Sequence, residues 1–186
     1  EDIVDQIVIP TDISYGRQPD GSETWVFFSE PTPGESNSTE GFNVYCDYPN
    51  FSNDGGFYFT AIEVLISTSL TDYPVYYTLD GSDPTINSLI YENPIMIEQT
   101  TVLRAATVSL DCILNKITTQ TYFINEEINL PVVSLSTDPD NFWDNEIGIY
   151  VLGYNANSDM PYFGANFWED WERPIHIEFF EKDGTL

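Results

Sequence analysis

The chain has 186 residues, of which 31 are acidic and 5 basic, giving a formal charge of −26. That balance repels phosphate backbones and anionic headgroups, so it argues against nucleic acid and against insertion into a membrane surface. With 41% hydrophobic and 15% aromatic residues the chain carries material for a packed core, and the acid reads as a solvated skin on a folded body.

In chain order, Ile7-Val8-Ile9 and Thr24 to Phe28 read as strands around a turn at Gln18-Pro19-Asp20-Gly21. The run from Pro31 to Thr39 lacks apolar anchors, reads as an extended linker and closes a first region at 1–37. Strand signals then recur at Phe57 to Ser67, Pro74 to Leu79, Ile95 to Gln99, Val102 to Ser109 and Lys116 to Ile124. Short strands at that spacing bury so many aromatics only by closing into two packed antiparallel sheets, over 38–126. A third region, 127–186, opens with a strand at Leu130 to Leu135. One helical turn follows over Asp138 to Trp143, with Asp138 as N-cap and Pro139 in the first helical position. Gly148 to Val151 and Ile175 to Glu181 read as strands. In the latter, Ile175, Ile177 and Phe179 share one face, and His176, Glu178 and Phe180 the other. Asp183-Gly184 asks for a hairpin partner, expected downstream, and the opening at Glu1 suggests an internal fragment or a processed product.

Candidate chemistry is sparse. Cys46 and Cys112 are the whole thiol inventory and have no zinc-type spacing, so they form either a disulfide or two buried thiols. Asp80 and Asp83, in Asp80-Gly81-Ser82-Asp83-Pro84, read first as turn formers and second as weak ligands for Ca²⁺, the one cofactor the acid suggests. The single histidine, His176, sits in an ordinary strand pattern with no nucleophile motif beside it. Asn37-Ser38-Thr39 and Asn50-Phe51-Ser52 match the glycosylation pattern. Tyr76 and Tyr91 are candidates for stacking on sugar rings or for the core. Trp168, Trp171 and Arg173 are candidates for an interface or for packing within their own region. No apolar run is long enough to span a bilayer.

Three stretches resemble known families. Ser14 to Ser22 with Trp25, Phe28 and Pro31 to Asn37 is similar to the end of a bacterial lamin-tail domain, an immunoglobulin-like sandwich of which only the last strand or two would be present. Gly56-Phe57-Tyr58, Val75 to Thr85, Ile90 to Ile95 and Thr100 to Ala105 resemble the chitobiase/β-hexosaminidase C-terminal domain and the fibronectin type III-associated repeat, over about 55–125. Leu130 to Leu135, Gly148 to Val151 and Trp168 to Glu178 resemble the opening of a spore-coat CotH-type protein, over about 130–186. The CotH group includes kinase-like enzymes, and the resemblance places their nucleotide and metal ligands beyond this segment. Together these imply an all-β chain with an immunoglobulin/fibronectin-like sandwich and partial β-rich flanks.

The expected function is a non-catalytic structural or adhesive spacer of a large secreted or surface-displayed bacterial protein. Its partners would be other domains of the same chain, and also a glycan or the secretion and surface machinery. The alternatives are a carbohydrate-binding module and the amino-terminal part of a CotH-type kinase.

Overall fold

A computed structural model describes residues 13–113 and 116–184; the strand expected at Ile7-Val8-Ile9 lies outside them. The first strands, β1 (Ser14–Arg17) and β2 (Trp25–Phe28), form an antiparallel hairpin whose turn closes where Ser22 N–H donates to Pro19 C=O at 3.0 Å. β3 (Gly41–Phe42) adds to β2, which makes a three-stranded sheet. The run expected to be a free linker is instead pinned to this hairpin by polar contacts. The Gln18 amide donates to Thr39 C=O at 2.7 Å, the Asn37 amide donates to Arg17 C=O at 2.9 Å, and Asp20 Oδ1 accepts from Asn37 N–H at 3.1 Å. Hydrogen bonds from the Ser36 hydroxyl and the Asn37 N–H hold the Asp20 carboxyl below the usual range.

The central elements are short. They are β4 (Val44–Tyr45), β5 (Asn50–Phe51), β6 (Gly56–Tyr58), β7 (Ile62–Val64), β8 (Ile66–Ser67), β9 (Val75–Thr78), β10 (Leu89–Ile90), β11 (Ile95–Ile97), β12 (Thr101–Thr107), β13 (Cys112–Ile113) and β14 (Ile117–Ile124). Five of them make one sheet in the order β10-β9-β12-β14-β6. Its neighbours are antiparallel except β6, which lies parallel to β14. The segment Phe57 to Ser67, expected as one strand, is divided among β6, β7 and β8, which serve three different sheets. β7 pairs with β11 and β8 with β5.

Alternation along β12 and β14 decides which side chains meet. Leu103 and Ala105 lie on the face that carries Tyr122 and Ile124, and they pack with Val64, Ile66, Val75, Ile95 and Ile97 into the main core. Full burial contributes about 1.5–3 kcal/mol for each large aliphatic or aromatic side chain, so this cluster is the principal source of stability. The chain is therefore an all-β, immunoglobulin-like sandwich.

The opposite face of the five-stranded sheet is also covered, which is why β12 is buried without a break from Leu103 to Thr107. The cover is an antiparallel ribbon of β15 (Val132–Ser136) and β16 (His176–Phe180). Phe180, fully buried, meets Phe123 at 5.4 Å and Phe57 at 6.1 Å between ring centroids. β16 thus pairs with an upstream strand along one edge; the downstream partner expected for it lies outside the described residues. Its faces alternate as expected, yet the buried one carries Glu178 and Phe180 while Ile175, Ile177 and Phe179 are exposed.

The helical turn α1 spans Asp140–Trp143. Pro139, just before it, already has helical angles, as a first helical position requires, and Asp138 Oδ1 accepts from Asp140 N–H at 2.9 Å. Gly148 to Val151 is not a strand. The N–H groups of Ile149 and Tyr150 donate to Asn141 and Phe142 carbonyls at 3.0 Å, so this backbone wraps the helical turn and joins no ladder.

Burial raises the Tyr122 hydroxyl far above its ordinary value, with Tyr58, Glu178 and Asp54 adding to the effect, and burial raises Tyr58 as well. A phenol whose folded pKa lies above the unfolded one stabilises the fold fully below the unfolded value, near 10, and loses that contribution as pH rises through the folded value. Denaturant midpoints should therefore hold steady from neutrality to about pH 9.5 and fall steeply above pH 10. Tyr122→Phe should flatten that fall, and an equal alkaline slope in the variant would refute the assignment.

Candidate functional site

The Asp80 to Pro84 segment is a turn whose acids are engaged by protein donors. Asp80 Oδ1 accepts from Ser82 N–H at 3.0 Å and from the Ser82 hydroxyl at 2.6 Å, and these bonds hold its carboxyl below the usual range. Asp83 pairs with Arg104, a buried side chain that also donates to Gly81 C=O at 2.8 Å and to Thr119 Oγ1 at 3.2 Å. Arg104 thereby ties three segments together: the turn, β12 and β14. Asp138 Oδ2 accepts from Asp83 N–H at 3.1 Å, which joins the same turn to the third region. Among the described residues no group of three or more His, Cys, Asp or Glu is placed to hold a metal ion.

Cys46 and Cys112 form a disulfide with their Cα atoms 5.6 Å apart. It stands beside the two-residue parallel pairing of β4 with β13. Tyr91 packs against the main core, and its N–H donates to Val75 C=O at 2.8 Å. Tyr76 lies half-buried in β9. Trp168, Trp171 and Arg173 are not joined into one patch by any ring contact between the two indoles. Trp168 meets Phe163 and Phe167 in tilted ring contacts and donates from its indole to Pro161 C=O at 3.0 Å. Arg173 lies over the Trp171 ring at 5.1 Å and donates to Ile147 C=O at 3.0 Å. Asn50 is exposed and Asn37 half-buried.

The most built-up polar surface lies at the outer edge of β14. There a cleft of about 460 Å³ is lined by Tyr48 to Phe51, Asn53, Asp54, Ile117 to Gln120 and His176. Three distant stretches converge on it, and each is fixed. Gly55 N–H donates to the Gln120 side-chain oxygen, and the Tyr122 hydroxyl donates to Asn53 C=O at 2.9 Å. Gly55 itself is closely held, since a Cβ there would stand 2.9 Å from Thr121 C=O.

Glu178 closes the inner end of this region. It is 4% exposed, and its carboxylate accepts from Thr121 N–H at 3.1 Å and from the Thr121 hydroxyl. Its other neighbour is His176, with Nε2 3.9 Å from Oε2. β6 pairs with β14 only from Tyr122 onward, so at Thr121 the side chain of Glu178 takes the place of a strand. Nothing in the linear sequence singles out Tyr48, Asp54, Gln120 or Glu178, because their meeting is created by pairings 57 to 69 residues apart.

Among the described residues no helix is long and apolar enough to cross a membrane. Comparison with curated proteins and with solved structures finds no match. The family model of the chitobiase/beta-hexosaminidase C-terminal domain matches residues 53–119, from the cleft wall at Asn53 to the buried Thr119 of β14.

Proposed function

We propose that this chain is a non-catalytic structural module of a large secreted or surface-displayed protein, a spacer that holds neighbouring domains at a set distance and angle. The observation that carries this reading is the Glu178 contact. A buried carboxylate of the third region takes a backbone donor of the sandwich, so the two move as one body. The disulfide, the acidic surface and the family match over 53–119 support an extracellular setting. The lamin-tail and CotH-type resemblances of the flanks extend the reading to a multidomain bacterial surface protein.

Two measurements test it. Dyes placed at the exposed positions Ile86 and Met160 should report a single narrow distance distribution, since a spacer transmits position. The purified chain should neither hydrolyse aryl glycosides nor consume ATP with Mg²⁺. A broad distribution, or turnover abolished by a point substitution in this chain, would overturn the proposal.

A further inference from the structure

We propose that the cleft at the outer edge of β14 is a binding site for a neutral saccharide, with Tyr48 as the stacking ring and Asp54, Gln120 and His176 as polar partners. This goes beyond a spacer role, which needs no ligand.

The backbone supplies the first argument. Thr121 N–H points away from β12, since it donates to Glu178. In an antiparallel ladder, residues two apart turn both backbone groups to the same side, so the N–H and C=O of Thr119 face outward too. Among the described residues no strand pairs with β14 at that position; β6 joins only at Tyr122. An open strand edge ordinarily invites another strand. Here Pro49 C=O accepts from the Thr118 hydroxyl at 2.5 Å, which sets the Tyr48 to Phe51 segment against that edge. An extended peptide is shut out, and a compact ligand is not.

The lining decides what kind of compact ligand fits. The volume of about 460 Å³ falls within the range of small-molecule sites. Asp54, in a chain of charge −26, opposes phosphates and carboxylates. The polar wall of Asn53, Asp54, Thr119, Gln120 and His176 offers little to an acyl chain. A sugar hydroxyl both donates and accepts, so it can use a wall that mixes carboxylate, amide, imidazole and peptide groups. Tyr48 is 51% exposed, and the Lys116 ammonium sits over one face of its ring, 5.3 Å from the centroid, so a sugar would stack on the opposite face. An aromatic plane at the mouth of a polar cleft matches the apolar face of a pyranose. The walls are ordered in advance by the Gln120 and Asn53 bonds, which reduces the ordering cost of binding.

The experiment probes the whole chain, and its Tyr48→Ala, Asp54→Ala and Tyr76→Ala variants, against an array of neutral and acidic oligosaccharides. The expected result is retention on one or more neutral glycans, weakened about tenfold in Tyr48→Ala and in Asp54→Ala and unchanged in Tyr76→Ala. Asp54 is exposed, so its variant decides the matter if Tyr48→Ala fails to fold. The proposal is overturned by a blank array with protein of native near-UV dichroism, by retention on acidic glycans alone, or by binding of undiminished strength in Asp54→Ala. Loss of binding in Tyr76→Ala with the cleft variants unaffected would overturn it too.

Discussion

Replacing Cys46 and Cys112 together with alanine should lower stability by about 4 kcal/mol. The bond closes a loop between residues 66 apart in sequence, and cross-links of that span remove much of the freedom of the unfolded chain. Little else holds the same place. Among the described residues β4 and β13 share two register pairs, with one further bond from Val44 N–H to Asp111 C=O at 3.1 Å. Both cysteines are buried, so alanine also loses packing there. Urea unfolding of the native chain under reductant should show a lowered midpoint, and the double variant a drop at least as large. A change below about 1 kcal/mol in both would mean that the pairing of β4 with β13 holds without the bond.

Glu178→Ala is expected to cost about 3 kcal/mol, because it leaves the buried Thr121 N–H without its acceptor and the Thr121 hydroxyl with Ser134 Oγ alone, at 2.7 Å. Glu178→Gln keeps an amide oxygen for the N–H and should cost about 1 kcal/mol. Hydrogen exchange separates this from a general loss of packing. The Thr121 amide should lose protection selectively in the alanine variant and keep it in the glutamine variant, while amides of the β12–β14 ladder remain slow. Equal exchange at Thr121 in all three proteins would remove Glu178 from its assigned role.

The two outcomes also show what can be read from the chain before it folds. Strands whose identity rests on local pattern were legible. β9, β12 and β14 fall inside Pro74 to Leu79, within a residue of Val102 to Ser109, and inside Lys116 to Ile124. Their β-branched and aromatic residues leave few other conformations at that density. The faces of β16 were legible as alternation and illegible as burial. Ile175, Ile177 and Phe179 look like the inner set by hydrophobicity alone, whereas Thr121 supplies two donors that make Glu178 the inner residue. Gly148 to Val151 failed for a related reason. Its composition suits a strand, but the carbonyls that its N–H groups meet belong to the helical turn before it. Of the site, Tyr76 and Tyr91 were singled out for their aromatic character, yet Tyr91 is taken by the core. Tyr48 gained its position from the approach of Pro49 to Thr118, a contact no local pattern encodes.

The outer face of the β15–β16 ribbon has a colloidal consequence. Val133 stands opposite Phe179 and Leu135 opposite Ile177, and all four are exposed, so each molecule carries a strip of apolar side chains on its surface. What keeps two such strips apart is the mutual repulsion of bodies charged at −26. That repulsion reaches about 10 Å in 0.1 M salt and only about 3 Å at 1 M, while apolar attraction persists. Ionic strength therefore sets whether the isolated chain stays dispersed or clusters through this ribbon, and dilute salt is the condition in which it is best kept as single molecules.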